Sequence, residues 1–233
     1  MVKTFLWVVT AFLLSTLACA TSTNPCPGEV ARNFPAVVNI VVGGQGLISG
    51  KWDMAEATGI ILGKGNLILT CGHLFWRRDS EEDRLSLRVL VVEAPELDEV
   101  SKITLRDLQT CRENPVVDTV RDLALLRLAS SISNVTVRFG EIAVGQSVWI
   151  VGYAERTELK IIRGVVKHVL GERVYILPEE LPVPGMSGSP VFSEEGDLVA
   201  IVVAVAGGKY VVATKALGAR ELQKQFECEQ GTP

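Results

Sequence analysis

The sequence predicts an all-β protein made of two β units and ending in one α-helix. Three observations carry that expectation. Short β-branched runs follow one another across residues 37–212, each bounded by Gly, Pro or acidic turn residues. The runs are too short and too closely spaced for βαβ crossovers and suit a barrel or a sandwich. No stretch of helical length is amphipathic before residue 214. Beyond it, Ala216, Leu217, Leu222 and Phe226 recur at roughly helical spacing and predict a helix over 215–227.

In chain order, the first strand is VVNIVV at 37–42. Gly44, Gly46 and Gly50 then punctuate a loop, because their spacing is too long for a dinucleotide fingerprint and no helical pattern opens behind them. Residues 58–62 and 67–70 flank the turn Gly63-Lys64-Gly65-Asn66 and read as a hairpin. The charged run 77–84 reads as a solvated loop. Strands at 85–92, 100–105 and 123–128 complete a first group. Residues 129–145 break the rhythm with a turn-rich stretch, and a second group follows at 147–153, 160–170, 173–177, 190–192, 198–206 and 210–213. The boundary falls in that stretch, which divides the chain after its first twenty residues into units 21–135 and 136–233.

Residues 1–20 are read as an export signal. Lys3 precedes the apolar run 5–14, and Ala18-Cys19-Ala20 supplies a small-x-small cleavage pattern, while the apolar stretch is short for a membrane span. A secreted or periplasmic protein follows, in contact with the membrane only during transit or through a lipid anchor on Cys19, since Leu17-Ala18-Cys19 loosely resembles a lipobox. In an oxidising compartment Cys26, Cys71, Cys111 and Cys228 predict one or two disulfides, with the pairing left open. No CxxC occurs, so neither structural zinc nor any other metal is expected. A hydrophobic fraction of 48% excludes a disordered chain, and a net charge of -4 lacks the basic footprint of a nucleic-acid binder.

Three places carry chemistry. Pro184-Gly185-Met186-Ser187-Gly188-Ser189-Pro190 is a tight loop that presents a serine between glycines, where successive amides can point into one concavity. A serine hydroxyl needs a base to take its proton. Of the two histidines, His168 sits inside a strand-like run, whereas His73 ends the strand at 67–70 and begins a turn. A carboxylate must then fix the imidazole. Asp122 stands directly before the apolar strand 123–128, Asp118 is its near rival, and Asp79, Asp83 and Asp98 lie in charged, solvated surroundings.

At these places the chain resembles the chymotrypsin-fold serine proteases, in the style of the bacterial Deg-type and glutamyl endopeptidase branches. Leu69-Thr70-Cys71-Gly72-His73 is similar to the family's T-A-A-H segment, Asp122-Leu123-Ala124-Leu125-Leu126 to its D-[IL]-A-L-L segment, and Gly185-Met186-Ser187-Gly188-Ser189-Pro190 to G-x-S-G-[GS]-P, all in the family's order. The resemblance implies two six-stranded β-barrels packed across a cleft, with a C-terminal helix. His73 and Asp122 would lie on the first barrel and Ser187 on the second. It implies a cofactor-free serine endopeptidase acting on polypeptides, with the amides of Gly185 and Ser187 as the oxyanion hole. The substrate would pair with the strand at 203–206, and Leu181, Ala204, Val205 and Ala206 would line its primary pocket. The same fold kept as a silent binding scaffold is the competing reading; the presence of all three triad residues favours the enzyme. Met186 stands where digestive members carry an Asp, and Ile40-Val41-Val42-Gly43-Gly44 is not their I-V-G-G start, so activation through a liberated amine is not implied. Leu181 replaces the basal Asp of trypsin-like pockets, which points to a small or medium apolar residue before the scissile bond.

Overall fold

A computed structural model describes residues 26–63, 65–77, 80–93, 115–128, 135–155 and 158–229. Seven strands build the first unit: β1 (Val37–Gly46), β2 (Trp52–Leu62), β3 (Leu67–Cys71), β4 (Trp76–Arg77), β5 (Ser80–Glu93), β6 (Val116–Asp118) and β7 (Leu123–Arg127). They form one antiparallel sheet in the order β4-β5-β1-β2-β3-β7-β6. Six more build the second: β8 (Ser147–Ala154), β9 (Glu158–Leu170), β10 (Arg173–Pro178), β11 (Pro190–Ser193), β12 (Leu198–Ala206) and β13 (Tyr210–Lys215). These close into a barrel in the order β10-β13-β12-β11-β8-β9. A one-turn helix α1 (Gly28–Ala31) opens the described chain and α2 (Ala216–Glu229) ends it. The architecture is the all-β, two-barrel one expected, with its terminal helix in place.

Two local expectations are corrected. Gly44 and Gly46 are not in a loop: β1 runs on to Gly46, pairing with β2 through Gln45↔Trp52 and with β5 through Gly46↔Leu85. The register shifts between Gly43 and Gly44, the local irregularity that strand glycines permit. The charged run is not a loop from Ser80 onward. Ser80 and Arg84 pair with Arg77 and Trp76 at the border of the sheet. The strand expected at 100–105, the export signal at 1–20 and Cys111 lie outside the described residues, as does the side chain of Cys228. Cys26 and Cys71 are free thiols, so neither forms the expected disulfide.

Strand β8 shows how the units are joined. Side chains alternate faces along a strand, and here both faces are buried. Val148 and Ile150 point into the closed barrel with Val174, Ile176 and Val191. Trp149, Val151 and Tyr153 point the other way, into one core with Ile60, Leu69 and Leu125 of the first unit. A strand that is apolar throughout therefore marks the seam between the units.

Candidate active site

His73 lies where β3 stops. After Cys71 the chain makes a 3-10 turn, Gly72–Phe75, because the Gly72 amide leaves the ladder and donates to the Asp122 carbonyl at 2.9 Å. The approach is close: a Cβ on Gly72 would stand 3.0 Å from Asp122 Oδ1. Asp122 then grips the histidine twice. Its Oδ1 accepts the His73 backbone N–H at 2.6 Å, and its Oδ2 lies 2.8 Å from Nδ1. Asp122 holds φ at 55°, a left-handed conformation that costs a non-glycine residue about 1–3 kcal/mol and must be supported by its surroundings. Asp118 does not compete. Its carboxylate accepts the backbone N–H groups of Val120 and Arg121 and pairs with the Arg121 guanidinium.

The electrostatics follow from that contact. Partial burial works against a charged imidazole, but the Asp122 carboxylate on Nδ1, with the Cys71 sulfur beside the ring, outweighs it and pushes His73 up to about 10. The His73 side chain remains 46% exposed against 23% for Asp122, so the ring is open to solvent while the carboxylate stands behind it.

The loop of Ser187 comes from the second unit and is pinned by the first. Thr58 on β2 is fully buried and uses every polar atom it has. Its N–H donates to the Ser187 carbonyl at 2.7 Å, and its hydroxyl donates to the Gly185 carbonyl at 3.1 Å. That hydroxyl also accepts the Tyr153 N–H at 2.8 Å, while the Thr58 carbonyl accepts from the Thr70 hydroxyl at 2.7 Å. Gly188 makes the approach possible. At φ +81° a Cβ there would fall 2.1 Å from the Thr58 carbonyl and 3.1 Å from the Cys71 nitrogen, two residues short of His73. The nucleophile loop and the histidine strand are thus in van der Waals contact.

Two amides of the loop face outward. The Pro184 carbonyl accepts from Glu155 N–H at 3.4 Å and the Met186 carbonyl from Ser189 N–H at 3.2 Å. Across each trans peptide the N–H points the opposite way. Those N–H groups belong to Gly185 and Ser187, and among the described residues they have no protein acceptor. Glu155, which aims the first of these peptides, is at φ 48°; it and Asp122 are the non-glycine residues with positive φ among those described. The side-chain hydrogen bond of His73 goes to Asp122, not to Ser187; a nucleophile–base bond is often loose before substrate binds.

The pocket residues named from sequence lie on two segments. Leu181 is on the segment after β10, 38% exposed, beside a Glu180–Lys160 ion pair. On β12, Ala204, Val205 and Ala206 pair with Val212, Val211 and Tyr210 of β13. Pairing with β11 ends at Ile201 and is continued by Val202, whose N–H donates to the Ser189 carbonyl at 2.9 Å and whose carbonyl accepts from the Gly188 N–H at 2.8 Å. Beyond Val202 that edge of β12 carries no backbone partner among the described residues, and Val205 is 45% exposed. His168 stays apart from this site, exposed on β9 and edge-on to Tyr175 and Tyr210.

Residues 57–201, more than half of the chain, match the family model of the trypsin-like peptidase domain. The chain belongs to that family. Its fold is also that of an HtrA-type protease, AlgW, solved with a decapeptide: the two superpose with a TM-score of 0.62 at 16% identity, over 84% of this chain and 64% of that one. A search of curated proteins returns no match. The family segment contains His73, Asp122 and Ser187 and begins one residue before Thr58. Sequence reasoning passed over Thr58 and Glu155, and also Arg173 and Thr214, which contact the carbonyls just before Asp122. A threonine in a strand and an arginine opening one carry no local mark of such contacts. Their one common feature is that all of them border the three recognised motifs in space, which no spacing reveals.

Proposed function

We propose that this trypsin-like domain is a serine endopeptidase in which His73, Asp122 and Ser187 form the triad. The observation that carries the reading is the doubly hydrogen-bonded Asp122–His73 pair set against a serine loop with two outward amides. A polypeptide lies extended along the open edge of β12, adding a strand at Ala204, Val205 and Ala206, with its side chain before the scissile bond near Leu181. Docking closes the gap between Ser187 and His73. His73 takes the hydroxyl proton as Ser187 attacks the carbonyl carbon, and Asp122 stabilises the imidazolium. The amides of Gly185 and Ser187 receive the oxyanion, each donor worth about 3 kcal/mol in the transition state. His73 then protonates the leaving amine, and water releases the acyl group from Ser187. Residues 21–135 and 136–233 act as the two walls of the cleft. Residues 1–20 direct export, with acylation of Cys19 as the route to a retained, membrane-anchored form.

A serine-directed fluorophosphonate probe tests the reading. Folded protein is expected to label covalently, and Ser187→Ala to abolish labelling together with about a million-fold of kcat on peptide substrates. Folded, processed protein that neither labels nor cleaves a peptide library overturns it in favour of a binding scaffold.

A further inference from the structure

We propose that Arg173 and Thr214, both on the second barrel, are positioning residues that hold the Asp122 turn of the first unit in the geometry that orients His73. The inference rests on the triad reading above. It starts from the two carbonyls that precede Asp122. The Thr214 hydroxyl, fully buried on β13, donates to the Arg121 carbonyl at 2.7 Å. The guanidinium of Arg173, at the start of β10, donates through Nη1 to Thr214 Oγ1 at 2.6 Å and to the Arg121 carbonyl at 3.2 Å, and through Nη2 to the Val120 carbonyl at 3.1 Å. Peptide planes 120–121 and 121–122 are therefore fixed from outside their own unit. The next torsion is the left-handed φ of Asp122, and the carbonyl beyond it is fixed by the Gly72 amide.

A left-handed aspartate persists only where both flanks are held. Its downstream flank belongs to β7 and the histidine turn, and its upstream flank belongs to Arg173 and Thr214. Around them lie Asp118 of β6, Glu172 of the β9–β10 turn and Glu221 of α2, all paired with the Arg121 side chain. Arg173 is thus the cation that reaches the backbone, and Arg121 the one that gathers the carboxylates. Freed of its upstream hold, the turn relaxes toward ordinary φ, and the carboxylate loses its double grip on His73. The effect reaches chemistry through His73, not through contact with substrate.

The test compares Thr214→Val, Thr214→Ser and Arg173→Met by two readouts. The first is the rate of fluorophosphonate acylation per folded molecule, with KM measured on a cleaved peptide. The second is NMR titration of the His73 ring in a Ser187→Ala background, which needs no activity. Compared on the alkaline plateau, where His73 is neutral in every variant, Thr214→Val and Arg173→Met are expected to slow acylation at least about tenfold with KM little changed. Both are also expected to lower the His73 midpoint toward its ordinary value, and Thr214→Ser to restore both. Folded variants with a lower melting temperature but an unchanged His73 midpoint and acylation rate overturn the proposal and leave these residues a structural part alone. A wild type that never labels overturns the triad reading instead, and the NMR midpoints still decide the present one.

Discussion

The Ser187 loop of the second unit leans on Thr58 of the first, whereas the turn before Asp122, in the first unit, leans on Arg173 and Thr214 of the second. The supports are reciprocal but differ in material. Thr58 is neutral, sealed from solvent and saturated with hydrogen bonds. The support for Asp122 contains a guanidinium and a surrounding set of charged groups that are partly open to water, with Glu221 63% exposed. On the proposed function the distinction suits each half. Amides proposed to receive an oxyanion act best at fixed geometry in a dry, low-dielectric setting. A carboxylate proposed to stabilise an imidazolium is better served where water and counter-charges remain within reach.

The largest effect that would sharpen this contrast comes from Thr58→Val. It strands the Gly185 carbonyl and the Tyr153 N–H in a buried site, each at a cost of about 1–3 kcal/mol, and loosens the oxyanion loop. Acylation is expected to fall on the order of 100-fold. Denaturation and probe labelling on the same samples check it. The His73 midpoint should stay where it is, and a midpoint that moved as far as in Thr214→Val would break the contrast.

A smaller effect concerns pH. The pKa of His73 is raised in the folded state from 6.5 to about 10, so the charged pair with Asp122 stabilises the fold fully below about pH 6.5 and loses that contribution as pH rises through about 10. Melting temperatures of wild type and Asp122→Asn should therefore differ most in weak acid and converge in strong alkali. A gap that widens with pH would mean that the pair is not charged in the way described. For the same reason cleavage by the neutral base should climb across the alkaline range. The smallest effect is expected from Arg121→Met. Its ion pairs with Asp118, Glu172 and Glu221 are partly exposed, so the loss should be about 0.5 kcal/mol and should shrink further at high salt. A loss that salt leaves untouched would show that this shell is as dry as the one around Thr58.

Much of the fold and of the site is legible in the order of the residues. The alternation and length of the runs mark the strands, and the helix begins within one residue of where its apolar spacing places it. The Asp122–His73 pair can be anticipated because an acid before an apolar strand is carried inward, and a histidine past a strand end faces a cleft. The loops expected around Gly44 and from Ser80 fail because both stretches are polar or glycine-rich and take their strand character from pairing that composition does not mark. The partner is β5, distant along the chain, for one and the neighbouring β4 for the other. For Cys26 and Cys71 the disulfide expectation fails similarly: an even set of cysteines is a count, whereas a bond is a distance, and these two keep free thiols.

Residue order alone marks candidate side chains for chemistry, because a serine between glycines, a histidine at a strand end and an acid before an apolar strand are short-range turn and strand patterns. Which groups hold them in register is decided in three dimensions. Thr58 lies far along the chain from Gly185, and Thr214 from Arg121, and the contacts arise from how two units pack across a shared apolar seam. A hydroxyl in a strand has the same local signature whether it meets water or a carbonyl of the opposite unit, so its partner is defined only once the units have docked.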